Sequence, residues 1–292
     1  MPTFRQLPSL TALAEARHFG RAAAACHVTQ PALSMQIREL EAELDLTLVE
    51  RGKGGVTLTP DGEALAERAR SLTAGAKDLE DFARERRGAR AKRLVLGVIP
   101  TVAPYLLPKL LPVLQAVIPD LDLKIRETQT TALMAELAAG DLDAVIAALP
   151  LKGDDVEAMS LFDDPFLLAS STAAPLAATD PRGLPADRLL LLEEGHCLRE
   201  QALGACAISD LSTFGATSLT TLLHLVAHGQ GVTLLPRMAA AEIADPRIAL
   251  ARFPAPEPSR TVAMAWRTGS PRKKQLQEIA AWVRDEVAPI WS

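Results

Sequence analysis

The first sixty positions place apolar residues at the period of short helices. One amphipathic helix is predicted for "LPSLTALAEAR", and a second, alanine-rich helix for "GRAAAACH". A third is predicted for "VTQPALSMQIRELEAEL", with Thr29 as its N-cap and Pro31 in its first turn. Two β-prone runs in "LTLVERGKGGVTLTP" then predict a hairpin with a glycine-rich tip.

A long helical pattern follows from Pro60 to about Arg87. Leucines recur every seven positions, at Leu65, Leu72 and Leu79, and an alanine follows each of them by four. Alternating large and small residues along one seam suit the close packing of two helices. The seam therefore predicts that this helix pairs with the same helix of a second copy. The alternative is that the helix packs its apolar face on its own domain. The basic segment "RERRGARAKR" is predicted as a hinge.

From residue 93 the pattern changes to alternating strands and helices. Strands are predicted for "RLVLGVIP", "LDLKIRET" and "DLDAVIAAL", with a helix in each interval. This βαβαβ order indicates a parallel sheet with helices on both faces. A second α/β unit follows, with a helix in "TSLTTLLHLVAHG" and a strand in "GVTLLP". The chain closes with the strand "RTVAMAWR" and the helix "KKQLQEIAAWVRDEV".

Composition and charge narrow the class of protein. The 292 residues are 48% hydrophobic and 23% charged, as in ordinary globular domains. Because no apolar run is long enough to span a membrane and no signal peptide is visible, we expect a soluble cytoplasmic protein. The first 93 residues carry 15 Lys and Arg against 13 Asp and Glu, whereas the rest carry 16 against 23. This asymmetry permits a DNA-binding head on an acidic body.

The second and third helices predict a helix-turn-helix, whose second helix enters the major groove of DNA. Polar and basic residues on that helix and on the hairpin suit contacts with phosphates and base edges. The candidate DNA-binding residues are Thr29, Gln30, Pro31, Ser34, Gln36, Arg38, Arg51 and Lys53. Other alanine-rich helix pairs look similar, so these residues alone leave the function open.

Three cysteines are too few, and odd in number, for a secreted disulfide framework. The stretch "LLLLEEGHCLREQALGAC" holds two of them, and it suits a buried pair, a metal half-site or a reactive thiol with its partner. His224 and His228 have a spacing that can hold a metal, but no third ligand stands nearby. We therefore predict no metal and no cofactor. The third cysteine, Cys26, is predicted to pack in the N-terminal core.

The segment "HFGRAAAACHVTQPALSMQIRELEAELDLTLVERGKGGVTLTPDGEAL" resembles the winged helix-turn-helix of LysR-type transcriptional regulators. It carries Phe-x-x-Ala-Ala, Thr-Gln-Pro-Ala-x-Ser, Gln-Ile, Leu-Glu and Leu-Thr-x-x-Gly at the family's spacings, and it departs at Val49 and in the "GKGG" tip. The resemblance implies an α/β protein with a winged helix-turn-helix, a long linker helix and two Rossmann-like, periplasmic-binding-protein-like effector subdomains. The expected domains are a DNA-binding domain at 1–59, a dimerisation helix with a hinge at 60–92, and an effector domain at 93–292. Its subdomains are expected at about 93–163 plus 267–292 and at about 164–266.

Within that family, the effector domain resembles the members that respond to hydrogen peroxide. The segments that carry the resemblance are "GVIPTVAPYLLP", "RETQT", "LLEEGHCLREQALGAC", "FGATSLTTL", "GVTLLP" and "AWRTGSP". The resemblance implies that Cys197 is the peroxidatic thiol and Cys206 the resolving thiol. The residues that it implies for the peroxide pocket are Thr101, Thr130, His196 and Arg267.

The spacing of the two cysteines bears on how they could join. A helix over their nine positions would separate the Cα atoms by roughly 13 Å, whereas a disulfide requires about 4.4–6.8 Å. A short helix is predicted from near Cys197 to Gly204, so the bond would require this segment to be rebuilt. Oxidation would then lock a second conformation, and the linker helices could pass the change to DNA.

The leading hypothesis is a DNA-binding transcriptional regulator, not an enzyme, that senses hydrogen peroxide and activates antioxidant genes. The expected partners are promoter DNA, peroxide as the signal, RNA polymerase, and further copies of the chain in a dimer or, by family analogy, a homotetramer. One alternative is a regulator of the same fold that binds a small metabolite between its subdomains. Another is a thiol peroxidase that uses Cys197 in turnover, although such an enzyme needs no recognition helix.

Overall fold

The computed structural model describes residues 6–52, 55–86, 93–118, 120–153, 155–208 and 215–287. Two compact units make up the chain, with the break between residues 86 and 93 and with the short segment Ala138–Asp141 counted in the first unit. Lys53 and most of the predicted hinge, residues 87–92, lie outside the described residues.

The first unit begins with the three predicted helices. They are α1 Gln6–Ala16, α2 Phe19–Ala25 and α3 Gln30–Leu44. Their apolar faces meet in a core in which Leu10, Leu33 and Ile37 are fully buried. The predicted cap of α3 is confirmed, because Thr29 Oγ1 accepts a hydrogen bond from the backbone N–H of Ala32 at 3.4 Å.

A hairpin wing and a long helix complete this unit. Strands β1 Val49–Gly52 and β2 Gly55–Leu58 pair antiparallel, and α4 Pro60–Arg86 follows. Gly62 lies where α4 crosses the start of the wing. A Cβ atom at Gly62 would stand 2.1 Å from the carbonyl oxygen of Leu48, so only glycine allows the helix to approach this closely.

The second unit is built on one seven-stranded sheet. Its strands are β3 Arg93–Val98, β4 Asp122–Glu127, β5 Ala144–Ala148, β6 Val156–Ser171, β7 Thr233–Pro236, β8 Ile248–Arg252 and β9 Ser259–Arg267. Its helices are α5 Ala103–Val117, α6 Thr130–Ala138, α7 Cys197–Cys206, α8 Leu219–Ala227, α9 Arg237–Ala240 and α10 Lys273–Trp282, with a π-helical turn at Val283–Val287. The strand order is β4-β3-β5-β9-β6-β7, and β8 also pairs with β6. As predicted, β3 pairs in parallel with both β4 and β5.

Two hydrophobic cores lie along this sheet and are joined by the long strand β6. The first core surrounds β3 and β5, and the second surrounds β7, α7 and α8. Val262, Met264 and Trp266 belong to the first core, although the sequence placed the second subdomain as far as residue 266. The reason is that β9 pairs antiparallel with β5. None of the described helices is long and apolar enough to cross a membrane.

Candidate functional site

Helix α7 carries the two cysteines of the predicted pair at its two ends. Both thiols are free. Nine residues of α-helix separate their Cα atoms by roughly 13 Å, which is beyond the reach of a disulfide. The prediction that the helix stops at Gly204 is wrong, because it continues to Cys206 and ends at Ala207 with a left-handed φ of 54°. The two sulfurs can therefore meet only after α7 unwinds.

The two thiols have different surroundings. Cys206 is 3% exposed and lies inside the second core, whereas Cys197 is half-buried and packs against the first core. Burial raises the pKa of the Cys206 thiol to about 11, so this sulfur stays protonated and unreactive at neutral pH. Cys197 is the first residue of α7, where backbone N–H groups have no partner within the helix. The half-buried Cys197 is therefore better placed to react first, and the buried Cys206 to react second.

Two hydrogen bonds hold the start of α7 at the carboxyl edge of the parallel strands. Gln129, which follows β4, donates from Nε2 to the carbonyl oxygen of Glu194 at 3.4 Å. Gln201 in α7 donates to the carbonyl oxygen of Leu149, which follows β5, at 3.5 Å. β3 lies between β4 and β5, and Thr101 comes three residues after β3, so Thr101 belongs to the same edge of the sheet as these two contacts. The start of α7 therefore lies at the edge where β3 ends.

His196 precedes Cys197 as the N-cap of α7 and is itself buried. Burial lowers the pKa of the His196 imidazole, although the Glu193 carboxylate opposes this effect. The ring is therefore neutral at pH 7 and can offer a hydrogen bond but no net charge. The preceding Gly195 has a φ of +89°, and a Cβ atom there would stand 2.5 Å from Oε1 of Gln129. Only glycine fits this turn against Gln129 without strain.

Two threonines of the predicted pocket lie at this edge of the sheet. Thr130 opens α6, and its buried Oγ1 finds no hydrogen-bond partner among the residues that the structure describes. A buried hydroxyl without a protein partner is typical of a site that holds water or a ligand. Thr101 is buried as well, and its Oγ1 accepts a hydrogen bond from Arg260 Nη1 at 2.9 Å.

The arginine at this edge is Arg260, and the prediction of Arg267 for the pocket is wrong. The two lie at opposite ends of β9, seven residues and therefore roughly 23 Å apart. Since β9 runs antiparallel to β5, its first residues and not its last reach the carboxyl edge. Arg267 Nη1 instead donates to the carbonyl oxygens of Leu137 at 2.8 Å and Leu142 at 3.0 Å.

Sequence reasoning missed Arg260 and its partner Asp164, although each left a signal. Both are charged residues set directly beside runs of buried strand residues, in "RTVAMAW" and "DDPFLLAS". A charge that is fully buried in a strand needs a partner, so two opposite charges in such runs indicate a buried pair. Without the antiparallel pairing of β6 and β9, nothing in the sequence brings the two together.

The outer face of α3 collects most of the predicted DNA-binding residues. Its exposed or half-buried members are Thr29, Gln30, Pro31, Ser34, Met35 and Arg38. Met35 was not predicted, and it is 56% exposed. Gln36 departs from this face, because its Oε1 accepts a hydrogen bond from the buried Ser9 hydroxyl of α1. Arg51 lies in β1 of the wing.

The predicted leucine seam of α4 divides into two parts. Leu65 is half-buried and packs against the core of the helix-turn-helix. Leu72 and Leu79 are exposed, the latter by 72%, and Phe82 is exposed near them. An apolar stripe of this kind on a helix indicates a surface that another protein covers.

The other cysteine and the histidines that the sequence singled out lie outside this site. The Cys26 thiol donates to the carbonyl oxygen of Pro8 at 3.6 Å and packs against the N-terminal core, as predicted. His228 Nε2 lies 3.3 Å from Nη1 of Arg247. Among the described residues no group of three or more His, Cys, Asp and Glu side chains is arranged to hold a metal ion.

Comparison with known proteins adds an independent line of evidence. Residues 4–63 match the family model "Bacterial regulatory helix-turn-helix protein, lysR family", and residues 87–288 match "LysR substrate binding domain". The chain is 43% identical over 291 residues to a hydrogen peroxide-inducible genes activator of Dickeya chrysanthemi, covering 97% of this chain and 95% of that protein. It is 42% identical over 288 residues to the DNA-binding transcriptional dual regulator OxyR of Escherichia coli K12, covering 96% and 94%.

Solved structures give the same result. A full-length OxyR from Pseudomonas aeruginosa with a cysteine-to-aspartate change is 39% identical, with a TM-score of 0.73 and 98% of each chain covered. A hydrogen peroxide-bound OxyR from Corynebacterium glutamicum with a cysteine-to-serine change is 32% identical, with a TM-score of 0.62 over 97% of this chain and 92% of that one. This chain therefore belongs to the LysR family of bacterial transcriptional regulators, as a homologue of the OxyR proteins.

Proposed function

We propose that this chain is a cytoplasmic DNA-binding transcription regulator, and not an enzyme, that senses hydrogen peroxide through Cys197 and activates antioxidant genes. The observation that carries the proposal is the placement of two free cysteines at the ends of one helix, one half-buried at the helix start and one inside a core. The identity of 42–43% to a peroxide-inducible activator and to OxyR supports it.

The chemistry begins with the Cys197 thiolate, which attacks one oxygen of hydrogen peroxide. The S–O bond forms while the O–O bond breaks, so that sulfur is oxidised to a sulfenic acid and the second oxygen leaves as hydroxide, which takes a proton to become water. Thr101, Thr130 and His196 can supply the hydrogen bonds that orient the peroxide, and Arg260 holds Thr101 in place. Cys206 then attacks the sulfenic sulfur, and the disulfide forms with loss of a second water.

The switch follows from the geometry of α7. Because the reduced helix holds the two sulfurs too far apart, the disulfide requires α7 to unwind and at least one sulfur to leave its core. The change therefore alters the packing of both subdomains along β6, as expected for a two-state element.

The first unit supplies the DNA-binding end of the response. The exposed face of α3 enters the major groove, and the hairpin wing follows the phosphates, where the sequence predicts contacts by Arg51 and Lys53. Leu72 and Leu79 of α4 pair with a second copy of the chain, and two dimers form a tetramer by analogy with the family. Oxidation changes the arrangement of these copies on promoter DNA, and the new arrangement contacts RNA polymerase.

Footprinting before and after peroxide tests the proposal. The full-length protein is bound to an operator selected from random DNA, and one equivalent of peroxide is added. We expect the footprint to change and mass spectrometry to find a disulfide between Cys197 and Cys206. The Cys197→Ser variant should show no change, whereas Cys26→Ser should respond as the unaltered chain does. An identical footprint in both redox states contradicts the sensor, and sustained peroxide turnover with a thiol reductant would favour a peroxidase.

A further inference from the structure

Behind the candidate peroxide site lies a buried ion pair between Asp164 of β6 and Arg260 of β9. The two residues are direct cross-strand neighbours, and their side chains are 1% and 0% exposed. Asp164 Oδ2 accepts from Arg260 Nε at 3.0 Å and from Nη2 at 2.9 Å. The other oxygen, Oδ1, accepts from the backbone N–H of Met238 at 3.0 Å. Three hydrogen bonds thus fix the carboxylate in one orientation.

This carboxylate determines where the rest of the guanidinium points. With Nε and Nη2 directed at Asp164, the Nη1 group is turned to Thr101, whose Oγ1 it meets at 2.9 Å. Nη2 also donates to the Thr101 carbonyl oxygen at 3.1 Å, so Arg260 holds both the backbone and the side chain of that residue. The planar fork of arginine cannot turn toward one partner without leaving the other.

The direction of the bond to Thr101 has a chemical consequence. A guanidinium has only donors, so the Thr101 hydroxyl must act as the acceptor in this contact. Its own hydrogen therefore cannot be given to Arg260 and is directed elsewhere. Thr101 follows β3 at the edge that the start of α7 faces, where a ligand of Cys197 would lie.

We propose that Asp164 is a positioning residue for the peroxide reaction, which holds Arg260 and, through it, sets the Thr101 hydroxyl as a donor to the leaving oxygen. This inference rests on the proposed function of Cys197. As the S–O bond forms and the O–O bond breaks, the departing hydroxide gains negative charge, and a preformed O–H donor stabilises it. Because Asp164 cancels the charge of Arg260, the pair provides directed hydrogen bonds and no net positive charge.

The test compares two reactions of the same sulfur. In full-length protein with Cys26→Ser and Cys206→Ser, Cys197 is the remaining thiol, and its rates with hydrogen peroxide and with iodoacetamide are measured. Iodoacetamide responds to the thiolate but has no leaving hydroxide to receive the Thr101 hydrogen bond. We expect Asp164→Asn to slow the peroxide reaction about tenfold or more, because small misplacements of positioning groups have effects of this size. Alkylation should stay within about twofold or become faster, since an uncompensated Arg260 charge favours the thiolate.

A matched control is available at the opposite edge of the sheet. Asp143 pairs with the buried Arg272 at 3.1 Å and accepts from the backbone N–H of Val95 at 2.7 Å. Asp143→Asn removes a similar ion pair, and we expect it to leave the ratio of the two rates unchanged. If Asp164→Asn slows both reactions together, or leaves the peroxide rate within about twofold, the positioning role is excluded.

A second variant decides the matter if thermal melting shows that Asp164→Asn does not fold. Asp164→Glu keeps the charge but adds a methylene group, which displaces the fork of Arg260. A fall of about threefold or more in the rate ratio supports the proposal, and an unchanged ratio overturns it. The proposed function fails separately and earlier, if unaltered Cys197 reacts with peroxide no faster than free cysteine does.

Discussion

Burial gives the sulfur atoms of one chain different chemistry. The pKa of Cys206 is raised to about 11 by the second core, and burial also raises the pKa of Cys26. Cys197 lies at a helix start, half-buried, against the other core of the same unit. The order of reaction is therefore determined by location, since a protonated thiol is a poor nucleophile.

Alkylation at pH 8 should reveal this order. A thiol of pKa about 11 is roughly a hundredfold less ionised at that pH than one at the usual value of 9.0. We expect Cys206 to be alkylated at least about a hundredfold more slowly in the folded than in the denatured chain, as followed by mass spectrometry. Similar rates in the two states would contradict its buried position.

The same raised pKa has a sign in stability. The unfolded chain loses the Cys206 proton above pH 9, whereas the folded chain keeps it up to about pH 11. The contribution of this thiol to the free energy of unfolding is therefore complete below pH 9 and is lost as pH rises through about 11. Urea unfolding across this range should show the loss, and Cys206→Ser should remove that part of the pH dependence.

Met35 is predicted to contact the DNA bases directly. It stands 56% exposed on the outer face of α3, between Pro31 and Arg38. The apolar group that the major groove offers to such a side chain is the thymine methyl. We expect single thymine-to-uracil replacements in the operator to weaken binding about fourfold at one position per half-site, as for one buried methyl group. In Met35→Ala this sensitivity should disappear, whereas Leu46→Ala, an exposed leucine outside α3, should retain it. Equal sensitivity in Met35→Ala would exclude the contact.

Residue types reveal reactive groups better than they reveal buried partners. The pair of cysteines and the neighbouring histidine stand out in the sequence, and the resemblance to peroxide-responsive regulators implies their roles. The role of Arg260 could not be predicted, since it depends on which end of β9 meets β5. The hydrogen bond between Gln36 and Ser9 could not be predicted for a related reason, because it depends on how α1 and α3 pack.

At the scale of one element, α7 acts as the barrier between the reduced and oxidised states. Gly204 lies inside the helix, and a Cβ atom there would meet nothing within 4 Å. Alanine should therefore stabilise the helix by up to about 1 kcal/mol. Since this helix must unwind before the disulfide closes, a substitution here separates the two chemical steps.

We expect Gly204→Ala to slow disulfide formation up to about fivefold while sulfenic acid forms at an unchanged rate. Quenched-flow alkylation with mass spectrometry can follow the two steps separately. Gly183→Ala, which also adds a Cβ atom in open space but lies outside α7, is the control. An unchanged rate of closure would mean that unwinding does not limit it.

Helices and strands with a regular pattern of apolar residues were predicted from the sequence, and those without such a pattern were not. The βαβαβ order emerged because β3 and β5 are buried and α5 is strongly apolar on one face. Strand β8 was missed because its residues are half-buried or exposed without a simple alternation. The length of β6 was missed because its first half lies in one core region and its second half in another.

At the scale of the whole molecule, the exposed stripe on α4 predicts assembly. Leu72, Leu79 and Phe82 leave apolar surface in water unless another copy covers them. We expect Leu72→Glu with Leu79→Glu to halve the mass found by sedimentation equilibrium and to weaken operator binding about tenfold or more, because half-sites would no longer be linked. Ser71→Glu adds a charge beside the stripe and should leave the mass of the assembly unchanged. A double variant with the same mass as the unaltered chain would place the interface elsewhere.

The packing of the two cysteines in separate cores also bears on how long a response lasts. When the disulfide is reduced, α7 can re-form, and both sulfurs return to apolar surroundings. Folding thus assists the reductant, because the chain regains helix and burial as the bond opens. The stability of α7 therefore limits the lifetime of the oxidised state: a more stable helix shortens that lifetime, and a less stable helix prolongs it.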